Sequence, residues 1–396
     1  GYNCEWSTEL TVPDAMGEYI KAWFILHVIA KEFGLGAQDG FQFNISVGYD
    51  LAGIKGDKVN TFIDGMMEAK DTVIFQECRK WLLDNADKFQ NFTREDIEAI
   101  PSNVCNSATI STLHGCPPQE IESIANYLLT EKHLNTFVKC NPTLLGYDFA
   151  RKTMDEMGYD YMVFGDFHFR DDLQYEDAVP MLTRLMKLSE ELGLEFGVKI
   201  TNTFPVDVTR NELPSEEMYM SGKSLYALSM SVAQKLAKDF DGKLRISYSG
   251  GADYFNITKI VDAGIWPVTM ATTLLKTGGY QRFTQVADKV EGICPKKWEG
   301  IDVDALKKLA ADAITDGHHV KNIKPVPNRK STKEVPLLDC FYAPCSEGCP
   351  IHQDIPQYVA LTGEGKYKEA LEVILEKNAL PFITGTLCAH NCMTKC

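Results

Sequence analysis

A chain of 396 residues is long enough for two domains, or for one large α/β domain with an appendage, and can build a core without disulfide staples. The formal net charge is −15 and the lysines and arginines are scattered, so no basic stripe exists to neutralise a phosphate backbone and nucleic-acid binding is excluded. The longest apolar stretch, "AWFILHVIAKEF", is too short to span a bilayer and is interrupted by Lys31, which excludes a membrane anchor there.

That stretch belongs to an opening helix, around "AMGEYIKAWFILHVIAKEF", expected to pack outside a sheet. From about residue 40 to 280, short β-branched runs alternate with longer amphipathic ones, the pattern of βα units around a parallel sheet. Strands are predicted over 41–47, 107–112, 136–140, 161–165, 196–201, 243–249 and 267–272. Helices are predicted at "PQEIESIANYLLTEK", "DAVPMLTRLMKLSEELG", "SLYALSMSVAQKLAKDF" and "YFNITKIVDAG"; Pro118 stands in the first turn of the first, where a missing N–H costs nothing.

Three places along these units could carry chemistry. "TISTLHGCPPQEIE" presents Cys116 just ahead of a Pro-started helix, where the helix dipole favours a thiolate, with His114 beside it. A half-buried structural cysteine and a solvated histidine are the competing readings. Asp50, Asp166 and His168 also fall at strand ends, where nothing separates them from solvated loop residues. Further on, "RISYSGGADYFNITKIVDAGIWPVTMATTLLKTGGYQRF" reads as strand, Gly-Gly turn, helix, strand and a second turn opening a helix. Consecutive glycines let backbone approach a phosphate, and helix N-termini offer unpaired N–H groups to it. Ser249, Gly250 and Gly251 on the first turn, with Thr272 and Thr273 on the second, are the phosphate candidates.

Residues 318–338, "HHVKNIKPVPNRKSTKEVPLL", lose all periodicity and read as a linker between 1–317 and 339–396. Half of the twelve cysteines follow it: Cys340, Cys345 and Cys349, with Pro350 next, then Cys388, Cys392 and Cys396 at intervals of four. Clustered thiols without a secretory signal point to a reducing cytoplasm and to metal ligation, not to disulfides. Zinc would suit closely spaced cysteine pairs. Three close cysteines followed by proline, with further ligands elsewhere, is the iron–sulfur habit.

The stretch from "CFYAPCSEGCPIHQDIP" to "LCAHNCMTKC" resembles the iron–sulfur domain shared by glutamate synthase small subunits and dihydropyrimidine dehydrogenases, most closely the version in the selenate reductase subunit family, where it is fused to a flavin barrel. The resemblance implies a small α-helical domain with one or two [4Fe–4S] clusters, Cys340, Cys345 and Cys396 serving one and Cys349, Cys388 and Cys392 the other. Leu337 and Thr384 stand where relatives carry further cysteines, so each cluster lacks a fourth ligand.

The Gly-Gly segment is similar to the closing strands of the FMN barrels of dihydroorotate and dihydropyrimidine dehydrogenases. This implies an α/β fold, a TIM-type (β/α)8 barrel over 1–317 with its first strands missing, and FMN within it. In those families a strand-end lysine lies by the flavin ring, and Lys139 in "FVKCNP" and Lys199 in "FGVKITNTF", the latter with Asn202, both match. Cys116 resembles the proton-donating cysteine of the family's "SCP" loop, with His114 assisting, although Leu113 replaces the family's asparagine.

The implied function is an iron–sulfur flavoprotein oxidoreductase. Electrons would come from NAD(P)H through an FAD module past Cys396, pass singly through the clusters, and reduce an N-heterocycle of oxopurine or oxopyrimidine type, or an oxyanion such as selenate, in the barrel. The rival is a non-catalytic electron-relay and docking subunit for a molybdenum hydroxylase or another redox partner. A cytoplasmic homodimer is expected, and a chain that starts without Met and stops on Cys396 reads as a fragment.

Overall fold

Thr11 opens the first helix: its hydroxyl accepts the N–H of Asp14, Pro13 fills the first turn, and the helix runs Val12–Glu32. Its buried stripe, Val12, Ala15, Ile20, Trp23 and Phe24, recurs at helical spacing and enters the main core. The computed structural model describes residues 2–4, 10–38, 40–111, 116–201, 204–209, 215–275, 278–293, 295, 297–321 and 343–394. Gly1–Leu274 with Tyr280–Asn322 forms one unit, and Leu275–Gly279 with Ile323–Cys396 a second.

In the first unit the strands are β1 (Tyr2–Cys4), β2 (Phe43–Val47), β3 (Cys105–Ile110), β4 (Asn135–Cys140), β5 (Phe196–Ile200), β6 (Phe204–Asp207), β7 (Glu217–Met220), β8 (Arg245–Ser249) and β9 (Val268–Thr269). Seven of them form one parallel sheet in the order β1-β2-β3-β4-β5-β8-β9, while β6 and β7 make a separate antiparallel hairpin. Among the described residues the ladder does not join β9 back to β1. Helices Pro118–Thr130, Tyr175–Leu192, Tyr226–Asp239 and Ile257–Asp262 stand between successive sheet strands where predicted, as crossovers between parallel strands require.

The two faces of the sheet differ. Ile45, Val47, Ala108, Ile110, Val138, Val198, Ile200, Ile246 and Tyr248 are at most 1% exposed and belong to the core that the helices share. The alternate residues are mostly polar: Asn44, Ser46, Ser107, Thr109, Lys139, Lys199, Arg245 and Ser247. A parallel sheet packed on both sides by helices reads as continuous apolar runs, so this alternation marks a face turned to a polar interior.

The segment 161–165 is not a strand. β4 pairs directly with β5, from Thr136 opposite Phe196 to Cys140 opposite Ile200, so no place is left for a strand between them. The segment instead serves the hairpin, the carbonyl of Val163 accepting the N–H of Asp207 at 2.8 Å. The second unit is helical over its described residues: Pro344–Glu347, Ile355–Gly363, Tyr367–Leu375 and Pro381–Leu387, with a 3-10 turn at Asn391–Thr394. Among the described residues of the whole chain, no helix is long and apolar enough to cross a membrane.

Candidate functional site

Lys139 and Lys199, which the sequence leaves as alternatives, are neighbours. They are register partners on β4 and β5, each one residue from its strand's C-terminal end, and Lys199 in turn lies opposite Ser247. Strand alternation puts all three on the polar face. Lys199 is buried and Lys139 half-buried, so two cationic stems stand side by side at the strand ends, where α/β sheets place their ligands.

Beside them the predicted turns converge. Ser249 ends β8, and its carbonyl accepts the N–H of Thr201 at 2.6 Å. Gly250 and Gly251 follow with φ of 138° and 79°. A side chain at Gly250 would run into the hydroxyl of Ser229, and one at Gly251 into the carbonyl of Gly222. Thr273 donates to the carbonyl of Ala252 at 3.0 Å, and Thr272 to the hydroxyl of Ser221 at 3.2 Å. A third turn, Ser221–Gly222, therefore joins the two expected ones; its sequence signal is "SGKS" directly ahead of a helical run. Backbone held this bare, with hydroxyls beside it, fits a phosphate group.

Sequence reasoning also misses a cluster behind the Gly-Gly turn. His318 Nε2 meets Asp253 Oδ2 at 2.6 Å, and the ring of His319 stacks on Tyr226 with centroids 4.1 Å apart. Burial first, then the neighbouring His318, pushes the His319 imidazole down to about 4. Tyr159 donates its hydroxyl to the His319 carbonyl at 2.8 Å, and Lys321 its N–H to Met157 at 2.8 Å, so 316–321 is strapped to the first unit.

Cys116 is half-buried and stands just before Pro117, which caps the helix Pro118–Thr130 without a side-chain bond. His114 and Asn202 lie outside the described residues. Two other cysteines of the sheet are chemically quiet: burial pushes the thiol of Cys105 up to about 11 and that of Cys140 up to about 12. Asp50 accepts the N–H of Gly53 at 2.7 Å as a helix cap, Asp166 pairs with Arg170 at 2.8 Å, and His168 lies 3.3 Å from Glu217 of the hairpin.

In the second unit Cys345 lies on the helix Pro344–Glu347, Cys349 two residues past its end, Cys388 at the C-cap of Pro381–Leu387 and Cys392 in the 3-10 turn. Burial, then the charges of Cys392, Cys349, Cys388 and Cys345, raise Tyr358 above its ordinary value. His390 N–H donates to the Cys388 sulfur at 3.4 Å, the kind of bond that tunes cluster thiolates. Among the described residues no three His, Cys, Asp or Glu side chains are placed to grip a single metal ion. Thiolate sulfur is the donor that iron–sulfur clusters take. Cys340 and Cys396, the remaining candidate ligands, lie outside the described residues.

The family model described as "Oxidoreductase YgfK, N-terminal TIM-barrel domain" matches residues 1–321. That of dihydropyrimidine dehydrogenase domain II, 4Fe-4S cluster, matches 328–396. The YgfK oxidoreductase of Escherichia coli (strain K12) is 46% identical over 407 residues, covering 100% of this chain, and the chain spans 39% of that relative's length. The NADPH-Fe(3+) oxidoreductase subunit beta of Geobacter sulfurreducens (strain DL-1 / KN400) is 37% identical over 94 residues, 24% of this chain and 13% of that protein. Ligand-free dihydroorotate dehydrogenase from Eimeria tenella covers 74% of this chain and 59% of its own at 15% identity, with a TM-score of 0.25.

Proposed function

The chain belongs to the YgfK family of oxidoreductases, a TIM-barrel domain followed by a [4Fe–4S] domain, and from that premise we propose that it is the reductive half of an NAD(P)H-dependent iron–sulfur flavoprotein. Single electrons would arrive at the iron–sulfur unit and be used at the barrel rim to reduce a small molecule, an oxidised N-heterocycle or an oxyanion.

One observation carries this reading. Lys139 and Lys199 stand in register at the strand ends, next to three turns, two of which carry glycines that leave no room for side chains. FMN, when bound, supplies the exchange between one- and two-electron chemistry that joins clusters to a hydride acceptor. The turns of Gly250, Gly251, Ser221, Thr272 and Thr273 would hold its phosphate, and the two lysines would keep positive charge where electrons arrive. Asn202, which follows β5 in the sequence, would contact the ring. Cys116 Sγ, assisted by His114, would give the substrate its proton. Cys340, Cys345, Cys349, Cys388, Cys392 and Cys396 would hold one or two clusters. The NADPH in the name of the Geobacter relative, and its description as a subunit, support an NAD(P)H source and a redox partner chain; an FAD module would take the hydride and pass electrons on singly.

The test is extraction of flavin from the purified chain and from a Cys116→Ser variant. FMN in both, with substrate reduction in Cys116→Ser lowered at least about a hundredfold while flavin reduction is unchanged, is the expected outcome. No flavin from a chain that still passes electrons to a molybdenum-enzyme partner would replace it with the relay function.

A further inference from the structure

The carbonyls of the Gly-Gly turn are all engaged by side chains. Tyr248 donates its phenol to the Gly250 carbonyl at 2.6 Å, Asn256 its Nδ2 to that of Gly251 at 2.9 Å, and Thr273 its hydroxyl to that of Ala252 at 3.0 Å. Three consecutive carbonyls held in this way belong to neither a helix nor a strand ladder.

Fixing a carbonyl also fixes an amide. A trans peptide points its N–H opposite to its carbonyl. The bonds on Gly250 and Gly251 therefore set the direction of the N–H groups of Gly251 and Ala252, both in trans peptides. Among the described residues neither N–H has a hydrogen-bond partner, although Ala252 is only 3% exposed. Buried N–H groups are seldom left without an acceptor, and successive unpaired ones are what an anion nest offers.

The turn needs such locks because of its glycines. With no Cβ at 250 or 251, each peptide plane can turn over at little cost and present a carbonyl oxygen, which repels an anion, where the N–H stood. The groups that prevent this are buried. Tyr248 is fully enclosed, and burial pushes its phenol well above the ordinary value, so it keeps the proton it donates. Asn256 is 2% exposed and uses both ends of its amide, its Oδ1 accepting the N–H of Asp253 at 2.8 Å. The Asp253 carboxylate in turn meets His318 Nε2 at 2.6 Å and the N–H of Phe255 at 2.9 Å, which fixes the far end of the turn.

We propose that Tyr248 and Asn256 are positioning residues that give this turn its selectivity for phosphate, by holding back its carbonyls so that only N–H groups meet the anion. The inference rests on the assignment of the turn to a flavin phosphate, and its test separates the two. The full chain, freed of any flavin it carries, is titrated with FMN and with riboflavin, which lacks the phosphate, and quenching of flavin fluorescence is followed. The parent should prefer FMN by about a hundredfold. Tyr248→Phe removes one hydroxyl from a ring that stays packed, and should weaken FMN about tenfold with riboflavin unchanged; Asn256→Ala should do the same. Damage to the fold alone would weaken both flavins alike. That result, or an undiminished FMN preference in either variant, overturns the positioning role while the phosphate assignment stands. A parent with no preference for FMN removes the phosphate from the turn, and both readings fall together.

Discussion

His319 shows how much one buried side chain decides. It is 1% exposed, and burial holds its imidazole at about 4 against an ordinary 6.5. Between those values the unfolded chain binds a proton that the folded chain refuses, so stability rises with pH through this window. The contribution is complete above about pH 6.5 and drains as pH falls towards 4, amounting to about 3 kcal/mol. His319→Phe keeps a ring against Tyr226 and removes the titration. Urea melts at about pH 7 and about pH 5 should show a smaller acid loss in the variant than in the parent; an equal loss would remove His319 from the acid response. Nothing in "DGHHVK" announces this role, because burial is a property of what packs on a residue. By contrast Gly250 and Gly251 are legible, since consecutive glycines are rarely kept except where a side chain has no room.

At the scale of elements, legibility follows periodicity. The helix Tyr175–Leu192 is readable from its apolar spacing and from Gly193, which ends it at φ 67° with its N–H on the carbonyls of Glu190 and Ser189. Nothing lies within 4 Å of a Cβ at Gly193, so Gly193→Ala tests backbone strain alone. It should cost about 1 kcal/mol, read as a lower urea midpoint with unchanged m-value; an unshifted midpoint would mean the C-cap does not need its left-handed residue. The segment 161–165 carries the same apolar signal as a strand, yet β4 and β5 pair without it. Only Phe164 of the run is buried, Tyr161 and Val163 standing nearly half exposed, so its apolar residues do not mark a sheet strand. The hairpin β6–β7 escapes for the opposite reason: Glu217–Met220 is mostly half-exposed and shows little β-branched character. The Ser221–Gly222 turn escapes with it, since only packing against Gly251 reveals what it joins.

The whole molecule divides its sources of stability. The first unit has a continuous apolar core shared by sheet and helices. The described part of the second unit buries only Ala370, Val373 and Gln353 below a tenth of their surface, while Phe382, Leu387 and Tyr367 stay at least 70% exposed. Two small apolar side chains and one amide are far too little to offset the entropy of ordering four helices, at about 1–2 kcal/mol per residue for the backbone alone. Ligation is the source expected to supply it, and Cys345, Cys349, Cys388 and Cys392 are where it would enter, as in metal domains that fold only when loaded. Removing iron anaerobically with a chelator should accordingly unfold the second unit and leave the first intact. In hydrogen exchange, amides of 343–394 would lose protection at once, while those of β3, β4, β5 and β8 keep theirs. If protection in 343–394 survives complete loss of iron and sulfide, the cysteines are not what holds this unit together, and its helices must be stabilised by chain beyond the described residues.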